Sequence, residues 1–260
     1  MSQFTRTRGF PRIISVCSSL RQIETGKGPL LRTPGSIGFE GCTRKMLLIS
    51  RFSGTINSAM VTDEGKHNLE TALRLLAGRL DLAKTEPIGL VVCGGSALIA
   101  EGLILRVTRD VDVLALMDAG HRIVSPAPLP GFLVRAAKEV AQDLGLDENW
   151  LNNGPSSDAG GLFQLGLPDG IENRLHERQY GPRLTVYFIG RFDQIHFKLY
   201  AAADRREGTH LDDLLTLEPA DVELEAAARW AMTHDVSPAF RLILQQILKE
   251  IGHENVADRI

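Results

Sequence analysis

From residue 62 onward, apolar and polar positions alternate with clear periods. Leu69, Leu73, Leu76 and Leu80 recur at i, i+4, i+7 and i+11. That is one apolar stripe along a helix, capped by Thr62 or Asp63 and running to about Lys84. Leu90 to Cys93 is a short apolar run, the length of a buried strand. Gly94-Gly95 breaks it, and Ser96 has the chemistry of an N-cap for a helix over Ala97, Leu98, Ile99 and Ala100. A second strand is expected over Val111–Leu116. The proline-rich segment Ser125–Gly131 cannot be helical, and a helix from Phe132 to Leu144 follows, closed by Gly145. Trp150–Gly161 is polar, turn-rich and long for a plain connection. Its Asn152, Asn153 and Ser156 are candidate substrate contacts, set against a surface loop with local Asx turns.

Ile171–Glu177 and Leu184–Ile189 are expected as two strands joined through Gln179–Pro182, the second rich in β-formers. The character then becomes helical. Asp193 is expected to cap a helix to about Arg206, followed by helices over His210–Leu217, Val222–His234 and Pro238–Ile251. Strands first and helices after make an α+β protein with a boundary near residue 191. The expected division is a sheet-bearing core over 60–190 and a helical C-terminal region over 191–260 that completes the site.

Residues 1–59 show neither period. They hold nine Lys/Arg against Glu24 and Glu40, whereas the remaining residues carry 20 basic and 30 acidic side chains. Three readings compete for this basic, disordered-type extension: a transit peptide, an arm touching nucleic acid, or a stretch outside the native protein, with translation starting at Met60. The acidic remainder argues against a broad nucleic-acid footprint on the folded part. No apolar run approaches the roughly 18 residues of a membrane span, so no membrane partner is expected. The cysteines, Cys17, Cys42 and Cys93, form no CxxC or zinc spacing. A reducing, cytoplasmic setting follows, with Cys93 acting as a small apolar residue.

The chemistry gathers between Gly94 and Asp112. Backbone N–H groups at a Gly-Gly-Ser turn opening a helix can receive phosphate. Asp110 and Asp112 flank Val111, so on a strand both carboxylates point to one face. Two like charges so placed repel unless a cation sits between them, and Mg²⁺ (or Mn²⁺) suits a few carboxylates plus phosphate oxygens. Arg106 and Arg109 flank the acids and can offset their repulsion. GxGxxG, GxxxxGK[ST], GxSxG and HExxH are all absent. Phosphate pocket and metal ligands side by side imply phosphoryl or nucleotidyl chemistry on a triphosphate.

GGS, followed fourteen residues after Ser96 by DxD on an apolar strand, resembles the nucleotidyltransferase superfamily that includes DNA polymerase β. The resemblance extends to a small bacterial nucleotidyltransferase-like group related to AbiEii-type toxins. It is carried by GGSALIAEGLILRVTRDVDVL, WLNNGPS, FDQIHFKLYAAADR, HLDDLLTLEP and ARWAMTHDVSPAFR, across roughly residues 63–255. It implies a nucleotidyltransferase-type small mixed sheet flanked by helices. By the same resemblance Asp110 and Asp112 bind the catalytic metals, and Gly94, Gly95 and Ser96 hold the triphosphate.

Classical members carry a third carboxylate on a later strand, and Leu184–Ile189 has none. The toxin-related group instead brings a lysine and an aspartate from the later helices, matched here by Lys198 and Asp213, with His210 where another aspartate is common. Lys198 and Arg205 are seven residues apart and share a helix face, so both can reach triphosphate oxygens. Against these stand a plain exposed helix lysine at 198 and an Asp213 paired with a base of its own helical bundle.

The function expected is transfer of a nucleoside monophosphate from an NTP to RNA or tRNA, a protein or a small molecule. The toxin resemblance implies an antitoxin-type protein partner. The alternative is a non-catalytic nucleotide-binding or partner-binding module on the same fold.

Overall fold

The structure, a computed structural model, describes residues 55–104, 108, 110–158, 160–205 and 208–260, with side chains of the first helix from His67 onward. The readings made of residues 1–54, including Cys17 and Cys42, and those of Arg106, Arg109 and Arg206 lie outside the described residues. The elements in order are α1 (Thr55–Leu82), β1 (Ile88–Cys93), α2 (Gly94–Ala100), β2 (Val111–Met117), β3 (Ile123–Val124), α3 (Gly131–Leu144) and β4 (Leu151–Asn152). They continue with α4 (Leu162–Leu165), β5 (Leu175–Gly181), β6 (Leu184–Ile189), α5 (Arg191–Arg205), α6 (Gly208–Thr216), α7 (Asp221–His234), α8 (Pro238–Glu250) and α9 (Glu254–Ala257).

A mixed sheet runs in the order β3-β2-β1-β6-β5, with β4 pairing to the start of β2. β1 lies antiparallel to β2 and parallel to β6, so β1 and β6 form the centre. This is an α+β protein with a mixed sheet flanked by helices and a helical C-terminal region. Among the described residues no helix is long and apolar enough to cross a membrane.

The period of two in β1 sorts its side chains onto the two sheet faces. Leu90 and Val92 join the larger core with Leu73, Leu76 and Leu80 of α1, Val186 and Phe188 of β6, and Ile195 and Leu199 of α5. Val91 and Cys93 face the other way, into a smaller cluster with Leu114, Tyr187, Ile189 and Phe197. The α1 leucine stripe is buried as its spacing predicts. Residues of α7, α8 and α9 contribute to the same larger core, so the helical region packs directly onto the sheet-bearing part. Trp230 of α7 is the hub of that packing, edge-on to Phe197 and Tyr200 of α5 and to its own neighbour His234.

Several expectations are corrected. The first helix begins at Thr55, so Thr62 and Asp63 lie inside it, as does Met60. Ser96 is not an N-cap: the helix opens at Gly94, and the Ser96 hydroxyl donates to the Cys93 carbonyl oxygen at 3.3 Å. Ile171 does not start a strand. Gly170, at φ +71°, turns the chain into a 3₁₀ turn over Ile171–Arg174 that buries Ile171, and β5 begins only at Leu175. The hairpin turn accordingly moves to Pro182-Arg183. Asp193 does not cap α5 either. It sits two residues inside the helix, fully buried, and accepts both Nε and Nη2 of Arg174 at 2.9 and 2.7 Å. That two-pronged pair ties α5 to the turn before β5.

Candidate functional site

β1 ends at Cys93, opposite Asp112 at the start of β2. The chain leaves β1 through Gly94, whose φ of +72° lies in the left-handed region that favours glycine. A Cβ on Gly94 would stand 2.6 Å from Oδ2 of Asp112. The glycine is required twice over, by its dihedral and by the carboxylate packed against it. Gly94→Ala should therefore displace Asp112 and lower stability by about 1–2 kcal/mol from the dihedral alone, measured by urea unfolding; wild-type stability would contradict the contact.

Asp112 is half-buried, on β2 between Cys93 of β1 and Asn152 of β4. One of its oxygens, Oδ1, accepts from Nδ2 of Asn152 at 3.3 Å. β4 makes this contact by pairing Asn152 beside Asp112. Asn152 is fixed in turn, because its own Oδ1 accepts the Gly154 N–H at 2.8 Å. Burial, followed by the neighbouring charge of Asp110, pushes the Asp112 carboxyl above the usual carboxylate range, against the pull of Asn152, Lys198 and Arg205. The two acids thus feel one another, as their spacing predicts. Asp110 precedes the strand, is exposed, and accepts a hydrogen bond from the Thr108 hydroxyl at 3.0 Å. Burial and the adjacent Asp112 raise the Cys93 thiol well above its ordinary value, which leaves it protonated and unreactive.

A cavity of about 660 Å³ opens over these groups. Gly94, Gly95, Asp110, Asp112 and Asn152 line it together with Gln194, Lys198, Asp204, Arg205 and His210. No protein-family model matches this chain, and no curated protein or solved structure is similar to it above the level of chance.

Gly94, Asp112 and Arg205, from α2, β2 and α5 and up to 111 positions apart, meet on one cavity. Lys198 is no surface lysine: it is 5% exposed, and its Nζ lies 2.7 Å from Oδ2 of Asp213 on α6, itself 4% exposed. Asp213 thus reaches the site through Lys198 rather than by lining the cavity. Ser96 is fully buried beneath the Gly-Gly turn, and its side chain is not among the lining groups.

Of the loop candidates, only Asn152 reaches the cavity. Nδ2 of Asn153 donates to the Pro126 carbonyl oxygen. Buried Ser156 accepts the Phe163 N–H through Oγ and Gln164 Nε2 through its carbonyl oxygen. Both residues hold the loop in shape.

Among the lining residues that escaped the sequence reading are Thr108, Asp158, Gln194 and Asp204. Asp204 immediately precedes Arg205 on α5, and its charge, after burial, helps raise the Tyr200 phenol. A face count along α5 would have found Gln194, which is one turn before Lys198. Nothing local marks the other three.

Proposed function

We propose that this protein is a metal-dependent nucleotidyltransferase of the DNA polymerase β type, related to AbiEii-type toxins. The observation that carries the reading is the meeting of Asp110 and Asp112 with Lys198 and Arg205 across one cavity that opens at the Gly94-Gly95 turn. Carboxylates and bases lining one cavity suit a triphosphate carried with a divalent cation.

Asp110 and Asp112 fit such a cation. They are two neighbouring carboxylates, one of them destabilised as an anion by burial and by its neighbour. Among the described residues no three His, Cys, Asp or Glu side chains converge as a ready-made cage. Mg²⁺ needs none, since one or two carboxylates with substrate phosphates and water complete its shell. Mg²⁺ or Mn²⁺ bound there would supply charge stabilisation at the α-phosphate.

The chain's own groups do the rest. Gly94 and Gly95 present backbone to the triphosphate, while Lys198 and Arg205 neutralise its β and γ oxygens. Asp213 holds the Lys198 ammonium in place. An acceptor hydroxyl attacks the α-phosphorus, the bond to the bridging oxygen of the β-phosphate breaks, and pyrophosphate leaves. The hydroxyl proton passes to a carboxylate. β6 carries none, but Asp158 and Asp204 on the cavity wall are two that could take it. The acceptor is RNA or tRNA, a protein or a small molecule, with an antitoxin-type partner in keeping with the toxin resemblance.

The missing β6 carboxylate also sustains a second reading, a nucleotide-binding module without turnover. Incubation with labelled NTPs, Mg²⁺ and total RNA or lysate separates the two. Label incorporation by the wild type and not by Asp110→Ala/Asp112→Ala supports transfer; equal incorporation by both refutes it.

A further inference from the structure

Gln194 is fully buried on α5 and lines the same cavity as Lys198, one helical turn further along. Neither Nε2 nor Oε1 of its amide has a hydrogen-bond partner among the described residues. An amide buried with both groups unmade costs free energy that an apolar side chain of the same shape avoids. A protein that keeps one in a cavity wall holds it for something that enters the cavity. We infer that Gln194 binds the nucleobase edge of the nucleotide and so separates nucleotides from bare polyphosphates. The inference rests on the nucleotide reading above.

The chemistry of the amide selects this ligand group. A carboxamide offers one donor and one acceptor side by side in one plane. Phosphate oxygens only accept, and a cation can engage only the oxygen. A base edge such as N6/N7 of adenine supplies the complementary acceptor and donor together, the pairing by which Gln reads bases elsewhere. The triphosphate groups lie with Lys198 and Arg205, which leaves Gln194, a turn away on the same helix, for the other end of the nucleotide. Turning the amide toward a ligand breaks no hydrogen bond, so the change of rotamer on binding meets little resistance.

The test compares Mg²⁺-dependent binding of the four NTPs and of inorganic tripolyphosphate, by calorimetry, in wild type, Gln194→Met and Gln194→Asn. Gln194→Met keeps the volume and removes both polar groups; Gln194→Asn keeps the amide but withdraws it. Wild type should bind its preferred NTP more tightly than tripolyphosphate. Both variants should lose about tenfold or more for that NTP with tripolyphosphate affinity unchanged. Free of ligand, Gln194→Met should melt about 2–4 °C above wild type. An undiminished gap between NTP and tripolyphosphate in the variants overturns the role given to Gln194 and leaves the nucleotide reading intact. So does a Gln194→Met protein that melts lower than wild type, because the amide would then be serving the fold. If wild type binds neither NTP nor tripolyphosphate, the nucleotide reading itself fails, and this inference with it.

Discussion

Lys198→Met should be strongly destabilising. It removes the ammonium from a pair whose two side chains are about 5% exposed and whose charged atoms are 2.7 Å apart. Asp213 then loses its 2.7 Å contact with the ammonium, and breaking a buried pair costs about 3–5 kcal/mol. The same pair replaced as a unit by apolar groups of similar volume is often neutral or better. Lys198→Met/Asp213→Leu should therefore recover most of the stability lost by Lys198→Met, while nucleotide binding stays absent in both. Urea unfolding and calorimetry read the two quantities separately. A single variant within about 1 kcal/mol of wild type would contradict the buried pair, and a double variant that binds NTP normally would contradict the role of Lys198.

The second large effect is at Asp112, where stability and binding should move in opposite directions. Its carboxylate is disfavoured by burial and by Asp110, so Asp112→Asn relieves a repulsion and keeps an oxygen for Nδ2 of Asn152. The ligand-free variant should melt above wild type. It should also lose Mg²⁺-dependent NTP binding by about a hundredfold or more, because a charged metal ligand has become neutral. Thermal melts with and without Mg·NTP check both halves. A variant that is less stable and still protected by Mg·NTP would show that Asp112 serves the fold instead. Stability given up at a cluster of like charges is what a functional site is expected to show.

Much of the architecture could be read from short-range pattern. The α1 leucines, the Leu90–Cys93 run and the β-rich LTVYFI of β6 each announce an element within a few residues, and each is where expected. What failed was mostly partner choice. Asp193 has the composition of a helix cap, and only the approach of Arg174 from nineteen positions away turns it into half of a buried ion pair. The sequence leaves Lys198 between a site lysine and an exposed helix lysine, and only the approach of Asp213 on α6 decides for the buried one. β4 is two residues long and carries no strand pattern of its own, yet its pairing with β2 is what sets Asn152 against Asp112. The 3₁₀ turn at Ile171 was misread because one buried isoleucine before a strand has the same signature as the strand itself.

The acid pair was legible from its spacing of two, although Asp110 stands just before β2 and only Asp112 lies on it. Gln194 was not: an unpaired buried amide is defined by what surrounds it, and no local pattern records that.

The most direct test of the central claim is transfer of label from an NTP radiolabelled at its α-phosphate, with Mg²⁺, to total cellular RNA and protein. Wild type should place label on a discrete acceptor, with release of pyrophosphate, and Asp110→Ala/Asp112→Ala should place none. Label transferred equally by both proteins would contradict the assignment of Asp110 and Asp112. Tight NTP binding by wild type with no label on any acceptor would leave a binding module in place of the enzyme.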